Sequence, residues 1–142
     1  MQPLIHLNAL LIAGLLALAP CITRTSPTDQ RSATRQDPLI GDWIGTSICQ
    51  LKNSPCHDEN VVFHFSPANV ADHYRVKADK IVNGQPDFMG ELDFLFDKAT
   101  QTLTCAIPSG TWVLKRKQSH IDGTLTTPDN ILFRKLTLSK VQ

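Results

Sequence analysis

The sequence predicts an all-β fold: a small, up-and-down antiparallel barrel of about eight strands, preceded by an export leader and a flexible tether. Three observations point there. After Leu39 the chain breaks into short runs in which apolar and polar residues alternate with a period of two, the pattern of a strand with one buried face. Turn residues separate these runs, and no stretch after the leader sustains a helical period. Eight short antiparallel strands in about a hundred residues leave no exposed sheet edge if they close into a barrel, and a sandwich is the alternative.

The leader comes first. Leu4 to Ala19 reads LIHLNALLIAGLLALA and ends in small residues before Pro20 and Cys21. It is shorter than the roughly twenty apolar residues a membrane span takes, and residues 1–21 are expected to be a signal peptide. Leu18-Ala19-Pro20-Cys21 resembles a bacterial lipobox, which implies a lipidated Cys21 and a membrane attachment through that anchor alone. Ordinary cleavage and an uncleaved anchor are the alternatives. Residues 22–38 include TRTSPTDQRSATRQDP, polar and aperiodic with two prolines, and read as a disordered linker. The barrel domain is expected over 39–142.

The strand candidates follow in order. Trp43 to Gln50 and Val61 to Ser66 flank a short polar loop. His73 to Val82 sets Tyr74, Val76 and Ala78 against Arg75, Lys77 and Asp79, so one face is wet. Asn83-Gly84 readily takes the positive φ angles of a tight hairpin turn. Phe88 to Phe96 places Phe88, Leu92, Phe94 and Phe96 on one face and Glu91 and Asp93 on the other. Leu103 to Ile107, Thr111 to Lys117, His120 to Thr126 and Ile131 to Val141 complete the set. Pro67 to Asp72 is the best place for a single helical turn.

Composition excludes several function classes. With 14 basic and 13 acidic side chains, net charge +1, and no basic run longer than Lys115-Arg116-Lys117, nothing points to nucleic acid. No Gly-x-Ser-x-Gly elbow or phosphate-binding glycine loop is present, and no cofactor is called for. Cys56 and His57 are chain neighbours whose side chains point apart on an extended backbone, so they do not make a nucleophile and base. Glu91 and Asp93 share a strand face, but a solvated outer one, which leaves no catalytic residue to name. His73 and His120 also fall on wet-face positions.

The cysteines support export. With Cys21 lipidated or removed, three remain. Cys49 and Cys56 bracket the loop QLKNSP, and a disulfide between them suits an oxidising compartment. A zinc site using Cys49, Cys56, His57 and His64 is the weaker reading, because no second Cys or His pair is suitably spaced. Cys105 lies in a short apolar run and reads as a buried small hydrophobe.

Gly41-Asp42-Trp43 opens the first strand, and Arg134 stands in the last. The pair resembles the Gly-x-Trp of lipocalins and other calycins, where the indole plugs one end of the barrel and an arginine from the last strand packs across it. That resemblance implies structural roles for Gly41, Trp43 and Arg134. The opening Trp43, Gly45, Ser47, Cys49, Ser54, Pro55, Cys56 and Glu59 also looks like that of a group of exported bacterial proteins, which implies a compartment and no activity.

In such a barrel one face of each strand lines the interior, and Phe63, Phe65, Tyr74, Val76, Phe94, Trp112 and Leu114 are the expected lining. The same alternation serves a solid core or a pocket for a small apolar ligand. A protein partner, bound through a stapled loop from Cys49 to Glu59 as in an inhibitor of an exported protease, is the rival function. An enzyme of unrecognised type is the third.

Overall fold

The structure is a computed structural model that describes residues 36–142; the leader and most of the tether lie outside the described residues. Eight strands, β1 (Gly41–Cys49), β2 (Glu59–Pro67), β3 (His73–Val82), β4 (Gln85–Asp97), β5 (Thr102–Ile107), β6 (Gly110–Lys117), β7 (His120–Thr126) and β8 (Leu132–Lys140), close into one barrel. Each pairs antiparallel with its neighbour in sequence, and β8 returns to β1 with Trp43 opposite Lys140 and Cys49 opposite Arg134. The up-and-down order follows from the short turns. Asn83 and Gly84 take φ values of 52° and 78°, the two positive angles that let a two-residue turn follow the twist of its strands.

The expected helical turn at Pro67 to Asp72 does not form. Pro67 ends β2, and the residues behind it make a bend and a turn held by bonds from Ala68 N–H to His73 O and from His73 N–H to Val70 O. Asp72 sits there with φ 57°, which no helix accommodates.

The inner face carries the core. Trp43, Phe63, Phe65, Tyr74, Val76, Phe94, Leu103, Leu114, Ile121, Leu136 and Leu138 are all buried, each from an inward position of the two-residue period. On the outer face His64 bridges two carboxylates, Nδ1 at 2.7 Å from Asp42 and Nε2 at 3.1 Å from Asp79. Asp79 is buried there, which acts to raise its pKa. Its hydrogen bonds from Lys77 and His64 outweigh that and hold it below the usual carboxylate range.

Phe88 departs from its expected inward position. β3 and β4 stay in register up to Ala78 opposite Gly90, but Asp79 then faces Phe88, leaving Met89 as an extra residue. A bulge of this kind turns every residue beyond it to the other face. Phe88 is therefore 61% exposed, with the Lys77 ammonium 5.7 Å from its ring centre.

Candidate functional site

The two ends of the barrel are built differently. At the end where β1 begins, Gly41 takes φ 117°, a conformation that side-chain-bearing residues rarely adopt, and the preceding turn folds in over the strands. Leu39 is buried in that turn, and its carbonyl accepts the Trp43 indole N–H at 2.9 Å. Asp37 accepts from Leu39 N–H at 2.9 Å and also from the Tyr74 hydroxyl. Edge-to-face contacts join Trp43 to Phe65 and Tyr74 to Phe96, with ring centres 6.0 and 5.6 Å apart. This end is plugged.

The cation over Trp43 is Lys140, not the expected Arg134. Its ammonium lies 5.1 Å from the ring and donates to the carbonyls of Pro38, at 2.9 Å, and Ile40. Burial pushes the Lys140 pKa down, which Asp37 and Asp42 partly offset. Arg134 and Lys140 share the inward face of β8, but six residues separate them, about 20 Å of strand. Arg134 thus falls at the opposite end, beside Cys49. There it pairs with Glu59 at 3.1 Å and donates to the Ser47 hydroxyl at 3.1 Å and the His57 carbonyl at 3.3 Å. The Cys49–Cys56 disulfide is formed and staples the loop that carries His57. These groups close the β1, β2 and β8 side of the mouth.

The other side of the mouth is open. β4 and β5 pair only from Asp97 opposite Thr102 to Leu95 opposite Thr104, whereas β5 and β6 remain paired to Ile107 opposite Gly110. Beyond Leu95 the two strands diverge, and a cavity of about 310 Å³ lies at the split. Met89, Gly90, Glu91, Leu92 and Phe94 of β4 form one wall, Ile107 and Trp112 the other, with Phe63, Val76 and Ala78 behind. Glu91 is the one ionisable residue among these, and its carboxylate turns outward to Arg75 at 3.4 Å.

The seven expected lining residues divide between the ends. Phe63, Val76, Phe94 and Trp112 line the cavity; Phe65, Tyr74 and Leu114 point inward but are buried in solid core away from it. Burial and Asp37 push the Tyr74 hydroxyl up to about 12, because a phenolate there would be desolvated and would face a carboxylate. Ala78, Met89, Gly90, Glu91, Leu92 and Ile107 line the cavity as well, beyond the expected seven, although Ala78, Leu92 and Ile107 stand on the inward period of their strands. Glu91 and Asp93 share the Arg75 guanidinium on the outer face, at 3.4 and 2.9 Å. His73 bonds the Ala71 carbonyl, and His120 lies 3.1 Å from Asp122.

Cys105 is half-buried against the core on the β5 side of the split, opposite Trp112 in the ladder. Burial pushes its thiol pKa up, with Asp93 adding to the effect, so it stays protonated at neutral pH. No family model matches the chain, and no curated protein matches it at significant similarity.

Proposed function

We propose that this is an exported, non-enzymatic binding protein of calycin type that takes a small apolar group into the cavity between β4 and β5. The observation that carries the reading is the contrast between the ends. One is sealed by Trp43, Leu39 and Lys140, and the other opens into an apolar cavity of about 310 Å³, at the lower end of the range of ligand pockets. A barrel built only to fill its own core would show no such split. The disulfide supports an oxidising compartment, and with it export.

The test is titration with N-phenyl-1-naphthylamine, a neutral apolar fluorophore. Saturable fluorescence enhancement is expected, with energy transfer that Trp112→Phe weakens. Ala78→Leu places a larger side chain in the cavity and is expected to lower the affinity at least about tenfold while leaving the unfolding midpoint within a few degrees of the parent. No saturable signal, or equal binding by Ala78→Leu, would overturn the reading.

A further inference from the structure

The split exposes two strand edges that face each other, and this limits what can fill it. Phe96 N–H donates to Asp72 O on the β3 side, so by the two-residue period Asp93 and Glu91 direct their backbone N–H and C=O groups towards β5. From the other lip, Gln101 O accepts from Arg116 N–H on the β6 side, and the same period turns the backbone groups of Ala106 towards β4. None of the three has a ladder partner across the split, because the β4–β5 pairing stops at Leu95 and Thr104. An apolar small molecule fills the cavity but offers these edges nothing. An extended polypeptide offers both.

Charge narrows the choice further. Arg75 serves both Glu91 and Asp93, and Lys77, opposite Glu91 in the ladder, is engaged by Asp79 at 3.1 Å. The β4 lip therefore carries two carboxylates against one guanidinium, and on the β5 lip Thr104 and Ala106 are uncharged. Outward side chains of an inserted strand lie beside this excess negative charge, whereas inward ones enter the apolar cavity.

We propose that the apolar group bound here is the side chain of an extended peptide, inserted between β4 and β5 as an added strand, with basic residues flanking the apolar one. This rests on the reading of the cavity as an apolar binding site and names the class of ligand. The free edge from Cys105 to Ile107 accommodates about three residues of such a strand, roughly 10 Å at 3.3 Å per residue.

The experiment uses a fluorescently labelled, acetylated and amidated peptide of alternating lysine and leucine, measured by anisotropy and by displacement of N-phenyl-1-naphthylamine. Saturable binding that displaces the dye is expected. Methylating the backbone nitrogens that would face the strand edges removes the donors while keeping the side chains, and is expected to weaken binding at least about tenfold. Replacing the lysines by glutamates is expected to do the same, and Asp93→Asn, on the same lip but outside the cavity lining, to weaken the lysine peptide severalfold without changing dye affinity. Ala106→Pro removes an edge N–H outside the β5–β6 ladder, where proline is tolerated, and is expected to abolish peptide binding alone. A methylated peptide that binds as well as its parent, or a lysine peptide that fails to displace a bound dye, overturns the inserted strand and leaves the apolar cavity standing. Failure of dye and peptide alike overturns both.

Discussion

The plugged end and the split end of this barrel use the same alternation of residues to opposite effect. At the Trp43 end each polar group introduced with the plug finds a partner: the indole N–H on Leu39 O, the Tyr74 hydroxyl on Asp37, the Lys140 ammonium on two carbonyls. Aromatic rings fill the remaining space. At the split end the inward residues meet no opposite wall, because β4 has left β5, and their apolar surface lines a cavity. Inward-pointing residues thus make a core only where the ladder behind them is continuous. The difference between the ends is one of pairing more than of composition.

The sharpest way to break this comparison is to remove one tryptophan from each end. Trp43 is fully buried and bonded, so Trp43→Ala leaves an enclosed void and an unpaired Leu39 carbonyl. A loss of about 3–5 kcal/mol is expected from the shift in urea midpoint at unchanged slope. Trp112 borders the open cavity, and Trp112→Ala only enlarges it, with a loss under about 2 kcal/mol expected. Equal losses would mean that the ends are packed alike.

The staple comes next. Cys49 and Cys56 close a short loop, and the His57 carbonyl and Glu59 just beyond it hold Arg134 over the mouth. Cys49→Ser is expected to cost about 2.5 kcal/mol through the entropy released to the unfolded chain. The split lies across the mouth, so dye affinity should change little. A large loss of affinity would show that the stapled side shapes the cavity too.

Alkaline titration sharpens the plugged end. Tyr74 is the single tyrosine of the chain, and its pKa is raised to about 12 from an unfolded value near 10. A raised folded-state pKa gives stability that is fully present below pH 10 and fades as the pH climbs through about 12, of order 3 kcal/mol in all. Tyrosinate absorbance should therefore appear well above pH 10 in the folded protein. Asp37→Asn, which removes the facing charge, should bring it down. Titration near pH 10 in the folded parent protein would show that the turn at Asp37 is not seated on the barrel.

Much of the barrel was legible before any coordinates. The period-two runs marked the eight strands to within a few residues, and the spacing of Cys49 and Cys56 marked their bond. What was not legible has physical causes. Arg134 and Lys140 occupy the same face of the same strand, and only the register of β8 against β1 says which end each reaches. Asp37 lies in a stretch whose composition reads as tether, and its anchoring depends on Tyr74, far away in sequence. The split depends on where the ladder between β4 and β5 stops, and Phe94 and Cys105, the first unpaired position on each side, look like ordinary strand residues.

Phe88 gives the finest test, because its expected effect is close to nothing. The alternation that puts Phe94 and Phe96 inside would put Phe88 inside as well, and then Phe88→Ser would cost several kcal/mol. The extra residue at Met89 reverses that assignment: Phe88 stands outside, with the Lys77 ammonium as its named contact. An exposed contact of this kind is worth about 0.5–1 kcal/mol at most, so Phe88→Ser should move the urea midpoint little. Its neighbour Met89 lines the cavity, and Met89→Ser should leave stability similarly unmoved while weakening the dye. If Phe88→Ser is strongly destabilising, the bulge is absent and β4 runs in one register throughout. Leu92 and Gly90 would then sit differently against β5, and the split, with the site it creates, would go with it.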